Sequence, residues 1–198
     1  TGRLALKHVP APQVKRGHVL VRTRASLISA GTERMVVDFA KKSLAGKAKA
    51  RPDLVKKVID KARRDGFKAT FQNVLTRLDE PLPLGYSAAG DVIGVGVGLE
   101  GVYAVGQRVA MAGAGVANHA EVNAVPENLL ATVPDDVTDE AASFATLGAI
   151  AMHAARNLGA GLGDVVAVLG CGLVGQLTAQ FLTLSGARVV ALDYDPDR

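Results

Sequence analysis

The chain has 198 residues, 48% of them hydrophobic, and a formal net charge of +4. That length and apolar share allow one large domain or two small ones, with a mostly aliphatic core because aromatics make up 4% and Trp is absent. The single cysteine, Cys171, excludes an internal disulfide framework and a cysteine-rich zinc lobe and fits a reducing, cytoplasmic setting, while the sequence shows neither an apolar run near the roughly 20 residues that span a bilayer nor a signal-peptide pattern.

Residues 1–33 read as strands. Pro10 and Pro12 break the first stretch, Lys15-Arg16-Gly17 makes a turn, and His18 to Arg24 alternates with period two. Gly31 then punctuates the chain. Residues 34–80 change character: they hold 13 of the 23 Lys/Arg and 6 acids, a local charge of +7 that leaves the remainder at −3. Met35 to Leu44 fits one helix. Pro52 and Gly66 suit the first turn and the stop of a second, with Leu54, Val55, Val58, Ile59 and Ala62 on one face. Phe67, Phe71, Val74, Leu75 and Leu78 repeat the pattern in a third helix, ended by Pro81 and Pro83. This is a helical insert with a basic outer surface. A solvated face is its leading reading and a subsite for an anionic substrate the second; nucleic acid is the weakest, because the two Phe face the core.

Residues 84–133 return to short β segments with turns at Gly90, Gly94, Gly96, Gly98 and Gly101, a spacing that predicts a compact barrel. Thr138 caps a helix running to Leu147, and a second helix spans Ala149 to Leu158.

The chemistry concentrates in the last quarter of the chain. Val165 to Leu169 is a short apolar run, as expected of a buried parallel strand. Gly170-Cys171-Gly172-Leu173-Val174-Gly175 comes next, then a helix from Gln176 to Ser185 stopped by Gly186, then a strand Arg188 to Leu192 ending in Asp193. Gly170 permits a tight turn, Gly172 lets backbone approach a pyrophosphate, and Gly175 lets helix and strand pack closely. The helix N-terminus offers N–H groups and a positive dipole end to phosphates. Asp193, 18 residues past Gly175, is placed to accept from adenosine ribose hydroxyls. A 2′-phosphate would meet its negative charge, and Tyr194, Asp195, Pro196 and Asp197 supply no cation nearby. The motif, in its strand–turn–helix–strand setting, reads as the opening βαβ unit of a Rossmann domain that favours NAD over NADP. Two strands of a sheet that normally has about six suggest part of a longer chain or a homo-oligomer.

The order of parts resembles the medium-chain dehydrogenase/reductase superfamily, which includes zinc alcohol, threonine and sorbitol dehydrogenases. Val105-Gly106-Gln107-Arg108-Val109 is similar to that family's GDRV turn, His119-Ala120-Glu121-Val122 to its YAEY strand, and Pro134 to Ala142 to its PDxVxxEEAA stretch. Ser29 to Arg34, Pro83 to Gly90 and Thr146 to Ala151 resemble the dehydrogenase half of bacterial bi-domain oxidoreductases, whose other half is of the Gfo/Idh/MocA type. The resemblance implies a GroES-like, β-rich domain over 1–147, carrying the insert at about 34–80, and the start of an NAD-binding Rossmann domain over 148–198. It implies an NAD-dependent oxidoreductase acting on a small molecule such as an anionic sugar derivative, with a non-catalytic scaffold half or a quinone or enoyl reductase as alternatives. No metal is expected, because the positions matching the zinc ligands hold Ala30, Tyr86 and Thr146, which are poor partners for zinc. Without zinc, the resemblance points to Thr32 as a proton-relaying hydroxyl and Tyr86 as a hydrogen-bond donor or acid. Packed or strand-end roles for these two residues stay open. The helix bearing His153, the strand expected to begin at His119, and the Cys171 thiol carry no chemistry in this reading.

Overall fold

In the computed structural model, residues 3–43, 46, 49, 52, 56 and 81–197 are described. Contacts divide the chain into two compact units, Thr1–Val9 with Ala30–Pro83, and Pro10–Ser29 with Leu84–Arg198.

In the first unit, residues 3–9 have no regular structure and are exposed, so the strands expected at the start of the chain do not form there. Helix α1 spans Ala30–Lys41, starting ahead of the expected Met35. Gly31 is tolerated in its first turn, where Glu33 complements the positive end of the helix and Lys41 the negative end. Gly46, Lys49, Pro52 and Lys56 are helical; the rest of the expected second helix and all of the third lie outside the described residues.

In the second unit, β1 (His18–Ser26), β2 (Ser87–Val95), β3 (Arg108–Ala112), β4 (Val122–Pro126) and β5 (Leu130–Thr132) form one antiparallel sheet in the order β4-β1-β2-β3-β5. The expected β1 alternation is real: Val19 and Val21 are fully buried and pack with Val92, Val109, Met111 and Val125 from the neighbouring strands. Gly90 is what lets β1 and β2 meet, because a Cβ there would lie 2.0 Å from the Arg22 carbonyl oxygen. The other face of the sheet buries Ala89 and Ala110 against Val133 and Ala142. Ala142 closes a short helix, α2 (Asp139–Ala142), capped by Thr138, whose hydroxyl accepts from the Ala141 N–H at 3.2 Å.

Helix α3 (Ala145–Leu158) then runs unbroken through position 147/148, instead of the expected break between Leu147 and Ala149. The chain turns earlier, at Ser143-Phe144, where the buried Ser87 hydroxyl donates to the Ser143 carbonyl at 2.5 Å and accepts the Thr146 N–H at 3.3 Å. That hydroxyl performs from β2 the capping that Phe144 cannot supply.

After α3 come β6 (Val165–Leu169), helix α4 (Leu173–Leu184) and β7 (Arg188–Leu192). The two strands pair in parallel, Val165 opposite Arg188 through Leu169 opposite Leu192. Both have the expected bounds, whereas α4 starts three residues before Gln176 and takes Leu173 and Val174 out of the loop. Ala155, Val168, Leu182 and Ala187 form the apolar contact among these elements. The expected burial of β6 is corrected: Val168 is buried, but Val165 and Leu169 are 68% and 79% exposed, because β7 is the one strand beside β6 among the described residues.

Candidate functional site

The turn between β6 and α4, Gly170 to Gly172, together with the first residues of α4, has the geometry its glycines require. Gly170 has φ +96°, in the region that disfavours side chains, and its N–H donates to the Leu192 carbonyl at 2.7 Å, tying the turn to the end of β7. Gly175 lies in the first turn of α4, where a Cβ would stand 1.8 Å from the Gly170 carbonyl oxygen, so the helix and the turn can approach this closely only with glycine there. Gly172 is different. It caps α4 in an extended conformation, and a Cβ on it would meet no atom within 4 Å. Its small size therefore leaves the backbone at the helix N-terminus open to a ligand instead of serving a contact inside the protein. Such a cradle fits the diphosphate of a dinucleotide.

Asp193 joins this turn from the far side. Its carboxylate accepts the Cys171 N–H at 2.6 Å and the Asp195 N–H at 2.9 Å. The acid at the end of β7 and the first half of the glycine turn are thus one bonded assembly, 22 positions apart in the chain. Cys171 is buried, with its N–H and its carbonyl both engaged, the latter by the Gln176 side-chain amide at 2.8 Å. Leu173 and Val174 are half-exposed on the first turn of α4. The sequence marks Gln176 as the start of a helix and nothing more; a donor side chain one residue past the last glycine is the signal that points to its contact with the turn. Beside the turn lies an apolar groove of about 470 Å³ lined by Ala155, Leu158, Val168, Gly170, Gly175 and Leu182.

The two hydroxyl candidates fall in separate units. Thr32 sits exposed in the first turn of α1, not at a strand end. Tyr86 is half-buried immediately before β2. Its carbonyl accepts the Gly113 N–H at 2.9 Å and the Thr146 hydroxyl at 3.3 Å, so Tyr86 and Thr146, two of the positions matched to zinc ligands, do meet. The preceding Gly85 has φ +95°, with the His119 backbone nitrogen 2.6 Å from where its Cβ would be. His119 lies ahead of β4 and not at its start, and its ring Nδ1 pairs with the Ser26 hydroxyl at 2.9 Å. His153 is exposed on α3, paired with Asn157 at 2.9 Å. Among the described residues no group of three or more His, Cys, Asp and Glu is arranged to hold a metal ion. The donor set at the matched positions, a methyl group, a phenol and an alcohol, does not fit zinc.

No protein-family model matches the chain. It is 30% identical over 149 residues to the (R,R)-butanediol dehydrogenase of Bacillus subtilis, a match covering 63% of this chain and 42% of that enzyme. Among solved structures it is similar to an alcohol dehydrogenase superfamily protein from Novosphingobium aromaticivorans, with 25% identity and a TM-score of 0.69 over 99% of this chain and 51% of that one. It is also similar to a mycobacterial protein solved with NADPH, with 25% identity and a TM-score of 0.68 over 96% of this chain and 49% of the other. The chain therefore spans about half the length, or less, of the relatives it matches.

Proposed function

Because the chain belongs to the medium-chain dehydrogenase/reductase superfamily, we propose that it forms the NAD(H)-binding part of a zinc-independent oxidoreductase that moves hydride between an alcohol and a carbonyl. The observation that carries this reading is the bonded assembly of Gly170 to Gly175 with Asp193 at the N-terminus of α4. In it, the open backbone at Gly172 takes the diphosphate and Asp193 accepts from the ribose hydroxyls, where its charge disfavours a 2′-phosphate. The nicotinamide, when bound, supplies or accepts the hydride.

The chain's own residues handle the proton. In this reading Tyr86 serves as a hydrogen-bond donor or acid and Thr32 as a proton-relaying hydroxyl, the roles that the family resemblance implies for them. The substrate class we assign is a small anionic sugar derivative, on the strength of the +7 segment 34–80. The test is turnover of a panel of such alcohols by the full-length protein, with Tyr86→Phe and Thr32→Val beside it. A loss of about 10²-fold or more in kcat with either variant is expected. Unchanged turnover with both removes these residues from the mechanism, and NAD binding without any turnover at this half favours the scaffold alternative. A quinone or enoyl reductase is the second reading, favoured by the relative solved with NADPH; tighter binding of NADPH than of NADH would select it.

A further inference from the structure

Two side chains hold the peptides on either side of Cys171. Asp193 takes the Cys171 N–H at 2.6 Å, and the Gln176 amide donates to the Cys171 carbonyl at 2.8 Å, reaching back five residues from the first turn of α4. The structure has no cis peptide among the described residues. A trans peptide is planar, so the Cys171 carbonyl and the Gly172 N–H point in opposite directions. A side chain that fixes the carbonyl also fixes where the N–H aims. That N–H belongs to the residue that caps α4 and has open space where a side chain would be. Without the Gln176 contact, the peptide plane rotates more freely, because Gly172 restrains it less than any other residue would.

We propose that Gln176 is a positioning residue for diphosphate recognition, aiming the Gly172 N–H at the ligand by holding the opposite end of the same peptide. The proposal rests on the reading of the glycine turn as a dinucleotide site and adds to it a residue outside the glycine pattern. Gln176 itself does not touch the diphosphate. Its effect is therefore that of one neutral hydrogen bond, a change of about three- to tenfold in affinity.

The variant Gln176→Met keeps the length of the side chain and its helix propensity but removes the donor. In the full-length protein, the dissociation constant for ADP is expected to rise about three- to tenfold, with that for adenosine, which has no phosphates, unchanged. The Gly172 amide proton resonance should move downfield when ADP is added to the unaltered protein, and by less in the variant. An unchanged ADP-to-adenosine affinity ratio together with an unchanged Gly172 response would overturn the proposal, and so would equal weakening of both ligands, which marks a general loosening of the turn. Failure of the unaltered protein to bind either ADP or NADH would instead overturn the dinucleotide reading itself.

Discussion

The antiparallel sheet and the β6–α4–β7 unit use similar residues and treat them differently. In β1, β2 and β3 most Val, Ala and Met side chains are buried between neighbouring strands and covering loops, and Val19, Val21, Ala88, Ala89 and Val109 expose nothing. In β6 and β7 an equally apolar sequence leaves Val165, Leu169, Val190 and Leu192 between 43% and 79% exposed. The difference teaches that composition fixes what a strand can bury, while burial itself depends on what lies beside it. The sheet's order is set by side-chain packing. The parallel unit has a smaller apolar contact, Ala155, Val168, Leu182 and Ala187, beside its glycine turn, backbone ladder and Asp193 contacts.

The largest effect is expected from a side chain at a close backbone approach inside the antiparallel sheet. Gly90→Val should prevent the antiparallel sheet from forming, since both Cβ and its methyls would overlap the Arg22 carbonyl, and the expected result is no cooperative thermal transition by circular dichroism. Met111→Ala, within the same core, should cost about 2–5 kcal/mol in denaturant unfolding, whereas Leu169→Ala in β6 should stay within about 0.5 kcal/mol. Equal losses would mean that the exposed face of β6 is covered in solution. Asp193→Asn keeps the shape but removes the charge; NADH affinity should fall about tenfold or more, and the preference over NADPH should shrink. The smallest effect belongs to Glu100, whose carboxyl is held below its usual pKa by its own backbone N–H and that of Gly98. A depressed pKa contributes stability above the unfolded-state value that is lost as pH falls through the folded-state value. Glu100→Gln should therefore slightly lower stability at neutral pH, leave it unchanged at low pH where Glu100 is protonated, and so flatten the acid side of a stability-against-pH curve.

Much of the site is legible in the sequence because its constraints are local. A turn that needs φ +96° at Gly170 and no Cβ at Gly175 admits glycine and little else, so spacing alone locates it, and β6 and β7 keep their expected bounds. What spacing does not give is three-dimensional. Gly31 looks like a breaker and puts Thr32 at a strand end, yet a glycine in the first turn of a helix disturbs few hydrogen bonds, and α1 runs through it. The turn at Ser143-Phe144 depends on the Ser87 hydroxyl, 56 positions away, and no local pattern announces it. The Cys171–Asp193 bond is of the same kind: the sequence marks Asp193 as a ligand for ribose, while the structure shows that it also anchors the turn.

That double role gives the most direct test. NADH and, separately, NADPH can be titrated into the full-length protein by fluorescence, with Gly175→Val as the control that disables this turn and no other. Saturable NADH binding, NADPH at least about tenfold weaker, and loss of the NADH signal in the variant are the predicted results. Binding of neither cofactor, or NADH binding that survives Gly175→Val unchanged, would contradict the assignment of this turn as a dinucleotide site.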